Sequence, residues 1–390
     1  MKDILDFFVG HLKRVDKVLP AICIIITTFD IFLVNSMYQT GYIPQSVVKT
    51  QFIAAILGIL ASFVISLVDY KFIAKLWYVY APLAVILQLL VWSPIGVQRD
   101  DDVAWLQIGG KNGITIQPSE ILKFVFIITL ALHISKLGDK LNSLPHLLLV
   151  CAHGLFPTAL IIAQGDAGSA LVFLFIFIVM LFMGGVSWKY IIAAVAAVPP
   201  VIYVAWNYVM KDHHRLRFLV LFDEEVRREQ IRNVYYQQNQ GKIGLGVGQL
   251  TGMGFDPQIY HDFQNDIQII DVPEIYNDFV FSYIGMTMGF IGCMAVVVAL
   301  AVLCLKLLSN ASGAGDPFGR LICVGVFALV LFHCIINIGM VLSVVPVIGI
   351  PLPFISTGGT AMIMMHACMG LVLSVSAHKE KAKHMFYEED

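Results

Sequence analysis

Charged residues are scarce in this sequence. Only 13% of its 390 residues are Asp, Glu, Lys or Arg, whereas about 25% is usual in soluble proteins. Hydrophobic residues make up 58% of the chain, which is more than an ordinary water-soluble domain can hide from solvent. The scarcity of charge therefore excludes a soluble globular protein and indicates an integral membrane protein.

Other absences exclude further classes of protein. The seven cysteines lie inside apolar runs without a CxxC pair, so neither a disulfide framework nor a zinc site is expected. A net charge of −2 gives no sign of nucleic-acid binding. No segments of about ten residues alternate as a membrane β-barrel requires. The first apolar run is too long for a cleavable signal peptide, and no small-residue cleavage site follows it.

Long apolar runs dominate what is present. Each is close to the roughly 20 residues that a helix needs to cross a bilayer, and helices are expected because lipid offers backbone groups no partners. We predict an all-α, polytopic membrane protein with about ten transmembrane helices in a single membrane domain, residues 1–390. The predicted spans are 18–37, 51–68, 72–92, 120–137, 144–163, 167–185, 188–209, 276–308, 319–343 and 357–377.

Lys and Arg residues in the short loops predict the orientation. With the N-terminus inside, fourteen of them fall in short cytoplasmic segments and only three, Lys49, Arg99 and Lys111, in short external loops. We therefore expect both termini in the cytoplasm and a long extracytoplasmic loop at about 210–275. Its aromatic residues favour a folded loop, and its glycine-rich stretch lacks the strand–helix context of a nucleotide loop.

Polar residues that are not simple flanking charges collect on the predicted external side, so any chemistry is expected there. Glu120 lies in the first turn of a predicted helix that Ser119 can cap, and Lys123 follows on the same face. A lysine inside an apolar helix is costly without a partner or water. We therefore favour a charge pair that faces a cavity over a purely local ion pair.

Four other charged residues allow both a structural and a functional interpretation. Asp166 is either the cap of the following helix or a carboxylate that faces a substrate. Arg215 and Arg217 are either interface anchors or ligands of an anionic lipid headgroup. Asp278 enters a strongly apolar helix near its outer end, where an ionised group is a functional candidate by default. Its alternative role is a helix-initiating acid.

The remaining polar residues within the spans are expected to be structural. Asp30 is expected to pair with a neighbouring helix, and Asn337 to form an interhelical hydrogen bond. Four histidines are scattered without metal-ligand spacing: His133, His153, His333 and His366.

Four segments together resemble one family. They are Gln117-Pro-Ser-Glu120 with Lys123, the turn Gln164-Gly-Asp-Ala-Gly-Ser169, the stretch from Pro273 through Asp278 to Gly292, and Asn337-Ile-Gly-Met340 with Ile350-Pro-Leu-Pro-Phe-Ile-Ser356. Their order and spacing over most of the chain resemble the shape, elongation, division and sporulation (SEDS) family of peptidoglycan glycosyltransferases. The short N-terminal segment is more similar to RodA-type than to FtsW-type members.

The resemblance implies an activity and a site. Members of the family polymerise glycan strands from lipid II at the outer face of the bacterial cytoplasmic membrane. Asp278 corresponds to the family's essential aspartate, and we expect it to act as general base in an inverting glycosyl transfer. Trp105 lies where the family has a tryptophan before the Gln117-Pro-Ser-Glu120 segment.

The resemblance also suggests how the substrate is held. We expect the leaving diphosphate to be stabilised by Lys123, Arg215, Arg217 or a divalent cation, Mg or Mn, for which no site is readable. The expected substrate-binding set is completed by Trp105, Glu120, Asp166 and Ser356. The expected partner is a class B penicillin-binding protein, a single-span transpeptidase.

Some positions depart from the family pattern. Ala104 stands where an arginine is usual, Met286 and Thr287 stand where two glutamates are usual, and Asp100 to Asp102 make their loop acidic. Two alternatives to the enzyme therefore remain, a lipid II flippase and a non-catalytic scaffold for a cell-wall synthase. A flippase should need polar groups on both sides of the bundle, and their concentration on the outer side favours the enzyme.

Overall fold

The computed structural model describes residues 10–11, 13–99, 102–110, 114–256, 261–262, 267–268 and 271–379. Within these residues, eight helices are long and apolar enough to cross a membrane, and two shorter apolar helices bring the set to ten. Each of the ten coincides with one predicted span. The prediction of an all-α, polytopic membrane protein is therefore confirmed.

The helices of the described residues are numbered in chain order. They are α1 Val18–Gln39, α2 Gln45–Leu67, α3 Tyr70–Lys75, α4 Trp77–Leu89, α5 Pro118–Leu137, α6 Leu144–Ile162, α7 Ala167–Met183, α8 Trp188–Val204, α9 Asp212–Phe222, α10 Glu224–Glu229, α11 Tyr236–Val247, α12 Val280–Ser312, α13 Pro317–Val341 and α14 Gly359–His378. Helices α3 and α4 together fill one predicted span. Helices α9, α10 and α11 lie in the segment predicted as a long external loop.

The two C-terminal helices form the centre of the bundle, because most residues in the apolar parts of α13 and α14 are buried. Small residues bring α14 against α2. A Cβ at Gly58 would lie 2.9 Å from the His366 ring, and a Cβ at Gly370 would lie 2.6 Å from the Ser62 carbonyl oxygen. Such small residues allow close helix packing where lipid supplies no hydrophobic drive. Helix α8, by contrast, has no buried residue and lies at the edge.

The segments that connect the helices lie at two opposite ends of the bundle, and their contacts distinguish the two ends. At one end Asp16 pairs with Lys306 at 2.7 Å, and Asp316 pairs with Lys71 at 3.0 Å. All four residues belong to segments that were predicted to be cytoplasmic. Residues from four of the five predicted external loops meet around one cavity, and the loop between α1 and α2 is not part of its described lining. This separation agrees with ten crossings, and which end faces the cytoplasm stays a prediction.

The connection between α4 and α5 contains a small sheet that was not predicted. Strands β1 (Gly96–Arg99), β2 (Asp102–Ile108) and β3 (Ile114–Ile116) pair antiparallel in that order. The Val103 amide donates to the Gln164 carbonyl oxygen at 3.0 Å, which joins this sheet to the α6–α7 turn. A second pair, β4 (His261–Asp262) and β5 (Ile267–Gln268), lies before α12. Strand pairing depends on such contacts, which hydropathy does not report.

The start of α5 corrects one prediction. Ser119 does not cap the helix, which instead begins at Pro118 after Gln117 without a side-chain cap. Proline is favoured at the first helical position because its φ angle is already suitable. Ser119 is therefore inside the first turn, where its hydroxyl lies 3.5 Å from that of Ser169 on α7.

Helix α12 is broken at Gly289, whose φ and ψ are 64° and −163°. Four backbone hydrogen bonds of 2.8–3.1 Å form at the break. The amides of residues 253 and 254 donate to the carbonyl oxygens of residues 286 and 287, and the amides of residues 290 and 291 donate to those of residues 249 and 250. Non-helical backbone at membrane depth is stable only where such partners exist. The end of the glycine-rich stretch therefore supplies hydrogen-bond partners to the backbone of α12 at its break.

This contact explains why the stretch is rich in glycine. A Cβ at Gly248 would lie 1.8 Å from the Gly285 carbonyl oxygen, and one at Gly252 would lie 2.1 Å from that of Thr287. Gly252 also has a φ of +83°, which side-chain-bearing residues rarely adopt. This part of the predicted external loop is thus folded and packed on α12.

Candidate active site

One cavity of about 320 Å³ lies where the predicted external loops meet. Its wall is built mainly from the β2 strand, the N-terminal parts of α5, α7 and α9, the segment before α12 and the segment between α13 and α14. Helices α11, α13 and α14 each add one residue. Six of the eight predicted site residues line it: Trp105, Glu120, Lys123, Asp166, Arg217 and Asp278.

The other two predicted residues, Arg215 and Ser356, are not among the side chains that line this cavity. Arg215 lies 3.5 Å from Asp212 and donates to the Asn207 carbonyl oxygen at 3.3 Å. Ser356 is buried, and its hydroxyl donates to the Asn277 carbonyl oxygen at 2.5 Å. The position of Ser356 supports a role in holding the backbone next to Asp278.

Asp278 lies in the turn that precedes α12, outside the membrane-spanning helix. Its backbone carbonyl oxygen accepts a hydrogen bond of 2.8 Å from the Asn337 side chain. Gly349 lies beside the carboxylate, and a Cβ there would be in van der Waals contact with Oδ2 at 3.4 Å. Burial, reinforced by the charge of Glu274, raises the pKa of Asp278 to about 7. A carboxyl group with this pKa exchanges its proton near neutral pH.

Glu120 and Lys123 form the predicted pair. Lys123 Nζ lies 2.6 Å from Glu120 Oε1, both side chains are almost fully buried, and both line the cavity. The preference for a charge pair facing a cavity is therefore confirmed. A buried lysine requires such a partner because isolated charge is costly inside a membrane bundle.

Asp166 caps α7, which is one of the two roles predicted for it. Its Oδ1 accepts the Ser169 amide at 2.8 Å and so caps α7. Its Oδ2 faces Gln117, whose amide lies 3.4 Å away. Asp166 also lines the cavity, so it belongs to the cavity wall as well as capping α7.

Carboxylates outnumber permanent cations in the cavity wall. Among the described lining residues the acids are Asp102, Glu120, Asp166, Glu274 and Asp278, and the permanent cations are Lys123 and Arg217. Arg217 donates to the Val347 carbonyl oxygen at 3.1 Å, which leaves further guanidinium donors for another partner. An anionic group that enters this cavity therefore meets few positive charges.

His333 and Asn337 were not predicted as site residues, because both were expected to be structural. His333 lines the cavity, and its Nδ1 lies 3.0 Å from the Pro351 carbonyl oxygen. Asn337 donates to the carbonyl oxygens of Asp278 and Ile350 at 2.8 Å each. Its partners are loop carbonyls, so the predicted interhelical hydrogen bond is wrong. The two residues are four apart on α13, a spacing that places them on one helix face.

The family departures lie in different places. Ala104 and Asp102 are in the cavity wall, so an arginine at position 104 would add a positive charge there. Met286 and Thr287 are buried in α12, where their carbonyls receive the amides of residues 253 and 254. Neither is among the described residues that line the cavity, so these two departures leave its wall unaltered.

A polytopic membrane fold with a polar cavity at one end thus defines the class of protein. The family profile described as cell cycle protein, which covers FtsW, RodA and SpoVE, matches residues 15–381. The chain therefore belongs to the FtsW/RodA/SpoVE family, which is the family that its motifs resemble.

Individual relatives agree with this assignment. The chain is 30% identical over 304 residues to the peptidoglycan glycosyltransferase MrdB of Escherichia coli K12, covering 78% of this chain and 79% of the relative. It is 29% identical over 381 residues to a probable peptidoglycan glycosyltransferase FtsW of Geobacter metallireducens, covering 94% and 96%.

Solved structures share the fold. A chain from a peptidoglycan synthase complex superposes with a TM-score of 0.78 at 23% identity, covering 94% of this chain and 98% of that one. The rod shape determining protein RodA of Thermus thermophilus superposes with a TM-score of 0.67 at 21% identity, covering 94% and 97%.

Proposed function

We propose that this multi-pass membrane protein is a peptidoglycan glycosyltransferase that polymerises lipid II at the outer face of the bacterial cytoplasmic membrane. Its relatives MrdB and FtsW carry the name of this activity. The observation that supports it most is Asp278, a cavity carboxylate whose pKa of about 7 suits a general base at neutral pH. Its product would serve cell-wall elongation, division or sporulation.

The proposed reaction joins two lipid-linked sugars. The Asp278 carboxylate removes the proton from the C4 hydroxyl of the GlcNAc of lipid II. The hydroxyl oxygen forms a bond to the anomeric carbon of the growing glycan, with inversion. The bond from that carbon to the diphosphate oxygen breaks, and undecaprenyl diphosphate leaves with the electron pair. Each step uses only the two substrates and the carboxylate.

The leaving diphosphate requires positive charge. Lys123 and Arg217 line the cavity and can supply part of it, whereas Arg215 points elsewhere in the described structure. Lys123 already pairs with Glu120, and the described carboxylates of the wall outnumber Lys123 and Arg217, so the wall offers no excess of positive charge. This shortage supports the proposal of a divalent cation, Mg or Mn.

The donor set fits such a cation only in part. No group of three or more His, Cys, Asp or Glu side chains among the described residues could hold a metal alone. Magnesium is commonly bound through one or two carboxylates together with substrate phosphates, and Asp102 and Asp166 are candidate carboxylates in the wall. The cation would supply charge stabilisation of the diphosphate. Binding of magnesium or manganese that appears only with undecaprenyl diphosphate would support this proposal.

We also propose a class B penicillin-binding protein as partner. The fold matches a chain of a complex described as coordinating polymerization and crosslinking, and a transpeptidase supplies the crosslinking chemistry. Copurification from the native membrane tests this. Full polymerisation by the isolated chain at every concentration would argue against obligate pairing.

The decisive experiment incubates the purified protein with labelled lipid II, with and without the partner, and measures glycan strand length. A flipping assay in vesicles is run beside it. Polymer that requires this protein supports the enzyme. Flipping without polymer would support the flippase, and neither activity would support the scaffold, an outcome for which Ala104 is the main structural reason.

A further inference from the structure

The ring of His333 lies in the wall of the cavity, and only one of its two nitrogens has a hydrogen-bond partner among the described residues. The residue is 1% exposed, and Nδ1 lies 3.0 Å from the Pro351 carbonyl oxygen. A carbonyl oxygen only accepts hydrogen bonds, so Nδ1 must carry the proton. The loop before α14 therefore determines which nitrogen of the ring is protonated.

The second ring nitrogen, Nε2, is buried and has no hydrogen-bond partner among the described protein groups. In the neutral ring with a proton on Nδ1, Nε2 is an acceptor. Lys123 lines the same cavity, and its ammonium disfavours a second positive charge nearby. A buried polar atom without a partner is uncommon in folded proteins and calls for an explanation.

We propose that Nε2 of His333 accepts a hydrogen bond from an O–H or N–H group of the sugar that is attached to the diphosphate of the substrate. An acceptor cannot bind phosphate oxygens that carry no hydrogen, which assigns His333 to the sugar. This inference rests on the proposed function, and it names a substrate-recognition residue within that site.

The position of His333 supports this assignment. Asn337, one helical turn away on the same face, holds the backbone of Asp278, so His333 lies near the proposed base. Lys123, a candidate for the diphosphate, also lines the cavity. A sugar attached to the diphosphate would therefore lie between Lys123 and the proposed base. The 2-acetamido N–H, on the carbon beside the anomeric centre, is the donor closest to the reacting bond.

Two substitutions separate recognition from structure. In His333→Asn the amide nitrogen takes the place of Nδ1 and can still donate to Pro351, but the acceptor is lost. In His333→Gln the terminal amide reaches the place of Nε2 and restores an acceptor, but the hydrogen bond to Pro351 is lost. Each variant therefore keeps one of the two functions of the ring.

The test measures binding of two probes to purified, partner-bound protein. Lipid II carries sugar and diphosphate, whereas undecaprenyl diphosphate carries no sugar. His333→Asn should weaken lipid II binding about tenfold, as expected for loss of one hydrogen bond in a buried site, and leave undecaprenyl diphosphate binding unchanged. His333→Gln should bind lipid II within about threefold of the parent. Gel filtration and thermal denaturation check that both variants fold.

Other results would overturn the proposal. Unchanged lipid II binding in His333→Asn, with a defect only in His333→Gln, would reduce His333 to an anchor for Pro351. Equal loss of both probes would assign it to the diphosphate or to folding. Absence of polymer from the parent protein would contradict the proposed function instead, and the binding comparison would still decide the role of His333.

Discussion

Replacing Asp278 with Asn removes the proposed base and almost nothing else. The two side chains have nearly the same shape, but Asn cannot take up a proton near neutral pH. General-base catalysis contributes about 10²–10⁴ to a rate, so we expect Asp278→Asn to lose glycan polymerisation by at least about a hundredfold. Strand length from labelled lipid II measures the loss, and partner binding should persist.

The pKa of Asp278 also predicts how the parent activity depends on pH. A base works only when ionised, and with a pKa of about 7 the carboxylate is about nine-tenths ionised at pH 8 and about one-tenth at pH 6. Polymerisation should therefore rise roughly tenfold from pH 6 to a plateau above pH 8. The residual activity of Asp278→Asn should lack this inflection.

The same pKa predicts an effect on stability. Unfolded Asp ionises near 3.8, and native Asp278 ionises near 7, so the native state binds the proton more tightly. The native state consequently loses stability as pH rises from about 4 to about 7, and the loss is constant above that range. At 1.36 kcal/mol for each tenfold change in proton affinity, it amounts to at most about 4 kcal/mol. Asn does not ionise, so the Asp278→Asn variant does not lose this stability as pH rises.

Asp278→Asn should thus resist heat better than the parent at pH 8, and the difference should vanish near pH 4. Thermal denaturation in detergent at both pH values tests this. Normal polymer from the Asn variant would refute the base assignment. A variant that is less stable than the parent at pH 8 would refute burial as the cause of the raised pKa.

Three further predictions concern the pair, the broken helix and the topology. Lys123→Met should abolish polymerisation while the protein still inserts, and full activity would reduce the pair to a structural detail. Gly252→Ala should lower the thermal denaturation temperature because its Cβ would lie 2.1 Å from a carbonyl oxygen, whereas Gly246→Ala, with open space around it, should not; equal effects would contradict the contact with α12. Reporter fusions at residue 140 should read cytoplasmic and those at residue 240 external, and the reverse would overturn the orientation.

The α9 arginines illustrate where sequence interpretation reached its limit. Arg215 and Arg217 looked equivalent as candidates for an anionic group. Residues two apart on a helix point about 200° apart around its axis, so the two side chains leave α9 in nearly opposite directions. The structure turns Arg217 to the cavity and Arg215 to Asn207. To predict which arginine faces the cavity, one must know that the segment is helical and how the helix is rotated about its axis.

The histidines are a second example, because a site residue among them could not be recognised from sequence. Four of them lie in apolar spans, and no spacing distinguished His333. Its role depends on Pro351, which is 18 residues away and lies in an irregular segment. The glycine-rich stretch is similar, because its glycines are explained only by the backbone of α12 against which they pack.

Sequence patterns were sufficient to predict the membrane class, the ten spans, the Glu120–Lys123 pair and Asp278 as a candidate site residue. These depend on run length, on spacing along one helix and on the cost of charge in an apolar segment, all of which are local. The contacts between distant groups became known only from the folded chain. Ser356 holds the backbone beside Asp278, Asn337 bridges two loops, and residues 249–254 bond to the broken turn of α12. Those contacts depend on how helices rotate and where loops return, and no local pattern records either.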